Sequence, residues 1–310
     1  MPATKAVIIG RDQFTMGYRP QGEWSWLITA AFFFGNVGAG LFLVSYFKGF
    51  LLGAAVGLII VGVGKSAAHL LYLGRPERFL RVIVRWRTSW ISRGLIAMGL
   101  FVVCGVVYLA RYLHATFVPH EVTVGFGVAA VIFAAVVMVY DGFVLKASRG
   151  TPLWDTYLMP VLAFFYALLG GTTLTLVTEA ASGATAHSQL EWLEIALLVL
   201  NGVLVGLVLL TAQARQAAVQ AAVELLTRGP ISRVFLGVAL GLGIGGTLAM
   251  VAVAIATGSV AALAVAAAAD VCGHFFVFFS ILRAGLHPPL RPIAGPSQVA
   301  GPSQVAVTRG

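Results

Sequence analysis

Five ionisable side chains interrupt long apolar segments of the sequence: Lys65, His69, Asp141, Asp270 and His274. Histidine and aspartate side chains can exchange protons with a bound substrate or with water. Charged groups are costly in lipid, so within an apolar helix they usually face a bundle interior or a wet cavity. These residues therefore indicate proton or ion chemistry inside a membrane, or buried ion pairs.

His69 and Tyr72 are three residues apart, so on a helix they share one face. A quinone needs an apolar slot for its ring and tail, hydrogen-bond partners for two carbonyl oxygens, and groups that exchange protons. Histidine and tyrosine meet the second need, and histidine and aspartate meet the third. The alternative is that His69 is a packed histidine and Tyr72 an aromatic residue of the membrane interface.

The remaining polar groups also allow two interpretations. Lys65 with Asp141 or Asp270 is either part of a proton path or a buried ion pair that locks helices together. His274 is either a proton carrier or a packed histidine. Asn36 lies between small residues that permit close helix contact, and this favours a packing role.

Composition shows which elements must position these groups. Hydrophobic residues make up 59% of the 310, charged residues 10%, and the mean hydropathy is +0.95, whereas soluble domains carry about 25% charged residues. Apolar runs of about 20 residues match the thickness of a bilayer core. The prediction is an all-α integral membrane protein with eight transmembrane helices, arranged as two packed four-helix bundles. The predicted spans are Trp24–Phe47, Phe50–Leu73, Ile91–Leu113, Val122–Leu145, Leu153–Val177, Leu190–Thr211, Ile231–Ala256 and Ser259–Leu282.

The predicted organisation is an N-terminal polar segment (1–23), the eight-helix transmembrane domain (24–283) and a disordered tail (284–310). The tail repeats Gly-Pro-Ser-Gln-Val-Ala at 295–300 and 301–306, a composition typical of disorder. The only two cysteines, Cys104 and Cys272, lie in apolar runs. This excludes an iron–sulfur cluster or structural zinc site that this chain holds alone by thiolates.

The basic residues are distributed unevenly between the two sides of the predicted bundle. Of 20 lysines and arginines, 17 lie on the side of the termini, Lys48 and Arg111 lie opposite, and Lys65 is within span 2. The positive-inside rule therefore predicts cytoplasmic termini in the cell membrane. The loop after span 2 carries more arginines than orientation requires, and we predict that it docks a partner. Its arginines are Arg75, Arg78, Arg81, Arg85 and Arg87.

Two motifs around this loop suggest a family. The end of span 2 reads His-Leu-Leu-Tyr-Leu-Gly-Arg-Pro-Glu-Arg-Phe from His69 to Phe79, and Thr-Ser-Trp-Ile-Ser-Arg follows from Thr88 to Arg93. They resemble the Leu-Gly-x-Pro loop and Ser-Trp-x-Ser segment of the NrfD, polysulfide reductase and dimethyl sulfoxide reductase membrane-anchor family. Tyr140-Asp141-Gly142 resembles that family's Tyr-x-Gly motif, and Pro152-Leu153-Trp154 before Pro160 is also similar.

The resemblance implies an eight-helix anchor that binds a quinone or quinol (menaquinone or ubiquinone) and no haem or iron–sulfur cluster of its own. Its partners would be a ferredoxin-like iron–sulfur subunit and a molybdopterin catalytic subunit, as in anaerobic respiration. The chain would carry the quinone half-reaction and no catalysis on the terminal substrate. Tyr140 matches the family's quinone-contacting tyrosine. We therefore expect the cofactor site at His69, Tyr72 and Tyr140, with proton transfer through Asp141, Lys65, Asp270 and His274.

The chain departs from the family pattern at three places. Tyr72 stands where relatives often have a histidine, Gly94 follows Arg93 where some have a glutamate, and the region around Ile28 and Ala31 is apolar. Two other functions remain as alternatives. In a haem-b anchor, His69 and His274 would ligate iron, and a Soret band would reveal it. In an ion-coupled transporter, internal repeats and broken helices would be expected.

Overall fold

The computed structural model describes residues 7–9, 12–14, 18–74, 76–110, 119–183 and 188–288, without the side chains of 7–9, 12–14, 76–80 and 188. Eight helices in these residues are long and apolar enough to cross a membrane. The prediction of an all-α membrane protein with eight spans is confirmed. The helices are α1 (Trp26–Lys48), α2 (Leu51–Tyr72), α3 (Trp90–Ala110), α4 (His120–Ala147), α5 (Leu158–Ala181), α6 (Ser188–Ala212), the short α7 (Ala217–Thr227), α8 (Arg233–Thr257) and α9 (Val260–Arg283).

Most helix ends lie within a few positions of the predicted ones. Gly49 and Gly258 end α1 and α8 in the left-handed conformation, with φ of 69° and 66°, which glycine adopts without a Cβ clash. The largest difference is at α5, which begins at Leu158 instead of Leu153. Turns occupy 151–156, and Trp154 is buried there with its indole N–H on the Ile281 carbonyl at 3.0 Å. The predicted start of α5 was too early because apolar residues that pack in this turn have the composition of a span.

The helices form two groups around two apolar cores. One core lies among α1, α2, α3 and α4, and the other among α5, α6, α8 and α9 with the short α7. The groups meet mainly where α1 packs along α5. Gly40 of α1 and Gly171 of α5 lie in that contact, and a Cβ on Gly40 would collide with the Ala167 backbone. Small residues therefore bring the two groups into close backbone contact.

Two spans contain π-helical stretches, at Ile60–Lys65 in α2 and at Arg233–Gly246 in α8. A π-helical turn inserts an extra residue and shifts the side chains that follow to a different face. In α2 the stretch ends at Lys65, which is buried between helices. The irregularity thus ends at Lys65, one turn before His69.

The segment before α1 and the segment after α9 pair with each other on the side of the basic loops. Strand β3 (Arg19–Pro20) pairs antiparallel with β4 (Leu286–His287), following the short pair β1 (Val7–Ile9) and β2 (Asp12–Phe14). The Gln21 amide donates to the Leu282 and Trp24 carbonyls at 2.8 and 2.7 Å. Residues 284–288, the start of the predicted disordered tail, are ordered instead, because Leu286 and His287 pair with β3. Residues 289–310 lie outside the described residues, so disorder there stays a prediction.

Candidate functional site

A cavity of about 240 Å³ lies among α1, α2, α3 and α4, toward the side of the basic loops. It is mostly apolar, and its polar side chains come from the ends of α2 and α4. The predicted trio of His69, Tyr72 and Tyr140 all face it. Its lining residues are Trp24, Ile28, Phe32, His69, Tyr72, Leu73, Val82, Ile91, Leu95, Met98, Tyr140, Asp141 and Val144.

An ion pair adjoins this cavity through Asp141, which is one of the lining residues. Lys65 Nζ lies 2.7 Å from Asp141 Oδ2, and both side chains are fully buried. The ammonium also donates to the Ala31 carbonyl at 3.0 Å. Gly35 leaves space for this lysine, because a Cβ there would lie 2.9 Å from its Cδ and Cε. Of the two aspartates considered as partners of Lys65, the structure pairs it with Asp141.

Asp141 was predicted as a proton-transfer residue beside the site, and it is itself among the lining residues of the cavity. Lys65 contacts one carboxylate oxygen, and the other, Oδ1, has no hydrogen-bond partner among the described residues. A buried carboxylate that is half satisfied can accept a proton or a hydrogen bond from a ligand.

Tyr140 is held between three groups. The Lys65 ammonium lies 4.7 Å from its ring centroid, a cation–π contact. Its hydroxyl is 3.4 Å from His69 Nε2. On another side, a Cβ on Gly94 would lie 2.6 Å from Cγ of the ring, so the ring needs the glycine. Gly94 was noted in the sequence only as a departure from the family pattern, and its role in admitting this ring was missed.

Tyr72 and Trp24 form the outer wall. The Tyr72 hydroxyl donates to the Glu23 carbonyl at 3.2 Å. Trp24 stacks on Trp154 with centroids 5.1 Å apart and an interplanar angle of 13°. Trp24 was assigned no role from the sequence, although a tryptophan at the first residue of a predicted span is a signal for an interfacial site.

A second, open hollow of about 320 Å³ adjoins the cavity and shares Val82 and Ile91 with it. Arg81 and Arg85 line this hollow, and both are exposed, as is Arg87. They belong to a 3-10 helix (Pro76–Arg85) and the turn that follows it. Ser92 ties that helix to α3 by donating to the Val82 carbonyl at 2.6 Å. Arg75 and the side chain of Arg78 lie outside the described residues.

The other predicted proton carriers lie elsewhere, in the second helix group. His274 packs against the rings of Tyr166 and Phe33, with centroids 4.9 and 5.4 Å away. It does not line the cavity, and neither of its nitrogens has a hydrogen-bond partner in the described part of the chain. Asp270 is 1% exposed, one helical turn away on α9. The structure therefore does not bring His69 and His274 into one site.

Glu194 was missed by the sequence reasoning. It is 1% exposed and accepts a hydrogen bond of 2.8 Å from the Thr173 hydroxyl. A carboxylate inside a predicted span was a signal that could have found it. Within the residues that the structure describes, no group of three or more His, Cys, Asp or Glu side chains could hold a metal ion.

Comparisons with known proteins add two findings. The family model described as "Polysulphide reductase, NrfD" matches residues 16–288. A curated relative from Allochromatium vinosum, the sulfite dehydrogenase subunit designated C, is 30% identical over 134 residues. That alignment covers 40% of this chain and 39% of the relative, so the chain spans well under half of that protein.

Proposed function

The chain belongs to the polysulphide reductase NrfD family, and from this premise we propose that it is the membrane anchor subunit of an oxidoreductase and binds quinone or quinol in the cavity of α1 to α4. It is a multi-pass membrane protein. The relative's name, which is that of a sulfite dehydrogenase subunit, supports a role in an oxidoreductase complex. In that role the chain carries the quinone half-reaction and leaves the terminal substrate to another subunit.

The cavity is the observation that carries this proposal. Aromatic and aliphatic side chains from α1 and α3, with Trp24 before α1, offer an apolar wall for a ring and its tail. His69 and Tyr140 lie 3.4 Å apart there and can hydrogen-bond a carbonyl oxygen. The chemistry of this donor set fits a quinone.

Two side chains that line the cavity, His69 and Asp141, can exchange protons with a bound quinone. Quinone reduction consumes protons and quinol oxidation releases them. His69 faces the cavity, and Asp141 presents an oxygen without a partner in the described residues. Lys65 compensates the charge of Asp141 at 2.7 Å, so this carboxylate can be buried beside the site without an uncompensated charge.

The partners follow from charge and position. The exposed Arg81 and Arg85 line the hollow that adjoins the cavity, and the exposed Arg87 follows in the next turn. An acidic iron–sulfur subunit that binds there would place a redox centre close to the quinone. We propose a ferredoxin-like partner there, with a molybdopterin catalytic subunit beyond it. The basic side, which carries both termini, is proposed to face the cytoplasm. Reporter fusions after Arg309 and within 181–188 should give opposite signals.

The test of the quinone site uses the purified chain and the assembled complex. A short-chain quinone should quench tryptophan fluorescence, because Trp24 lines the cavity. His69→Leu should weaken that quenching and impair quinol-linked turnover, since a contact and a proton carrier are both lost. Partner retention is measured separately by co-purification. Normal quenching and normal turnover in His69→Leu would show that the quinone binds elsewhere.

A further inference from the structure

The second helix group buries two carboxyl side chains without a cation. Glu194 of α6 and Asp270 of α9 are each 1% exposed. Unlike Asp141 and Asp155, neither acid forms a salt bridge with a residue that the structure describes. The two carboxyl groups interact electrostatically with each other. Two unpaired negative charges buried side by side would be strongly unfavourable.

Thr173 of α5 lies between the two acids. Its hydroxyl donates to Glu194 Oε1 at 2.8 Å, and it also interacts with the Asp270 carboxyl. A hydroxyl has one hydrogen to donate but can accept as well. With its one hydrogen on Glu194, the hydroxyl can accept a hydrogen bond from a protonated neighbour. Because both acids are buried without a cation, a proton on one of them would remove the repulsion between two negative charges.

The surrounding groups supply no compensating charge. Tyr166 of α5 interacts electrostatically with Asp270, and Asp270 Oδ2 has no partner among the described residues. The α8 span carries no charged residue from 234 to 257, and α1 carries none from 27 to 47. Asp270 and His274 are four residues apart and share a helix face. Polar groups thus continue from the acid pair toward His274.

The pair lies toward the side of the membrane opposite the basic loops. Glu194 is six residues from the start of α6, which corresponds to a depth of about 9 Å. Asp270 is ten residues from the start of α9, or about 15 Å. Glu191 precedes Glu194 by three residues on the same helix face, is partly exposed, and interacts electrostatically with it. It provides a polar step between the pair and the surface.

We propose that Glu194, Thr173 and Asp270 form a proton-holding carboxyl pair that exchanges its proton with the membrane side opposite the basic loops. The ligand of this site is a proton. The site is separate from the cavity, because neither acid is among the cavity-lining residues. It gives the chain a buried acid–base group on the far side from the proposed docking surface.

Infrared spectroscopy of the purified chain tests the proposal without any quinone or partner. The wild-type protein should show the carbonyl stretch of a protonated carboxylic acid, and the band should shift on transfer to D2O. The double variant Glu194→Gln/Asp270→Asn should lose it. Glu121→Gln should retain it, because that acid is exposed at the first turn of α4 on the same membrane side. Chromatographic behaviour and helix content confirm that each variant is folded.

Three outcomes would overturn the proposal. They are a wild-type spectrum without this band, a band that survives in the double variant, and a band that sodium ions remove at constant pH, which would identify a cation site. Quenching of tryptophan fluorescence by quinone distinguishes a failure of this proposal from a failure of the proposed function. The double variant should bind quinone as wild type does, whatever the infrared result.

Discussion

Asp141 and Asp270, one in each helix group, are both buried but differ in how their negative charge is compensated. Asp141 is fully buried and lies 2.7 Å from the ammonium of Lys65. Asp270 is 1% exposed, has no salt-bridge partner among the described residues, and lies beside a second acid. The first carboxylate is compensated by a charge and the second requires a proton. Burial alone does not assign a role to an intramembrane acid, because the partner decides which protonation state is stable.

The largest expected effect comes from removing the cation of the first group. Lys65→Met leaves Asp141 buried without its partner, and such changes typically cost about 3–5 kcal/mol of unfolding free energy. Denaturant unfolding in detergent measures this loss. Asp270→Asn replaces an acid that has no cation with a neutral side chain of similar size, so its unfolding free energy should fall by less than that of Lys65→Met.

The double variant Lys65→Met/Asp141→Leu sharpens this contrast. It removes both charges, so much of the lost stability should return. If Lys65→Met is no less stable than Asp270→Asn, the two aspartates do not differ in the way described.

The next effect concerns the space around Tyr140. Gly94→Ala would place a methyl group against the Tyr140 ring. Overpacking of this kind typically costs about 1–3 kcal/mol, and the displaced ring should also weaken quinone quenching. Gly99→Ala is the matched control on the same helix, because nothing lies within 4 Å of a Cβ there. Equal effects of the two alanines would show that Gly94 does not position Tyr140.

Removal of a single hydroxyl group should have a smaller effect on quinone affinity. Tyr140→Phe keeps the packing and removes a hydrogen bond worth about 0.5–1.5 kcal/mol, so quinone affinity should fall by a few-fold to about tenfold. Tyr166→Phe is the control in the second helix group, where the hydroxyl has no hydrogen-bond partner in the described residues. Fluorescence quenching measures both affinities. Equal affinities in the two variants would place the quinone away from Tyr140.

The smallest effect concerns docking. Charge reversal at Arg81, Arg85 and Arg87 should release the partner at lower salt, because exposed charges mainly tune association and its salt dependence. Lys48→Glu serves as the control, since it is an exposed basic residue on the opposite side of the membrane. Co-purification across a salt series measures the difference. An unchanged series in the reversed variant would mean that the arginines do not hold the partner.

The spans were predictable because lipid requires long apolar helices, and each predicted span corresponds to an observed helix. The ionisable residues of the cavity were also predictable from their cost in lipid. The choice of Asp141 over Asp270 as the partner of Lys65 was not, because both lie at reachable depth and only packing decides. Gly94 and Trp24 were missed as site residues, since a glycine or an aromatic residue in an apolar span usually serves packing.

The link between Gln21 and Leu282 bears on how the protein is made. These residues are 261 positions apart, yet they hydrogen-bond at 2.8 Å and fix the segment that carries Trp24. Trp24 leaves the ribosome early, but its support arrives only when α9 has been inserted. The outer wall of the cavity therefore closes late in biogenesis, whereas the contacts between α1 and α2 form early. A nascent chain arrested before α9 should already hold its first spans in the membrane and still lack a finished cavity.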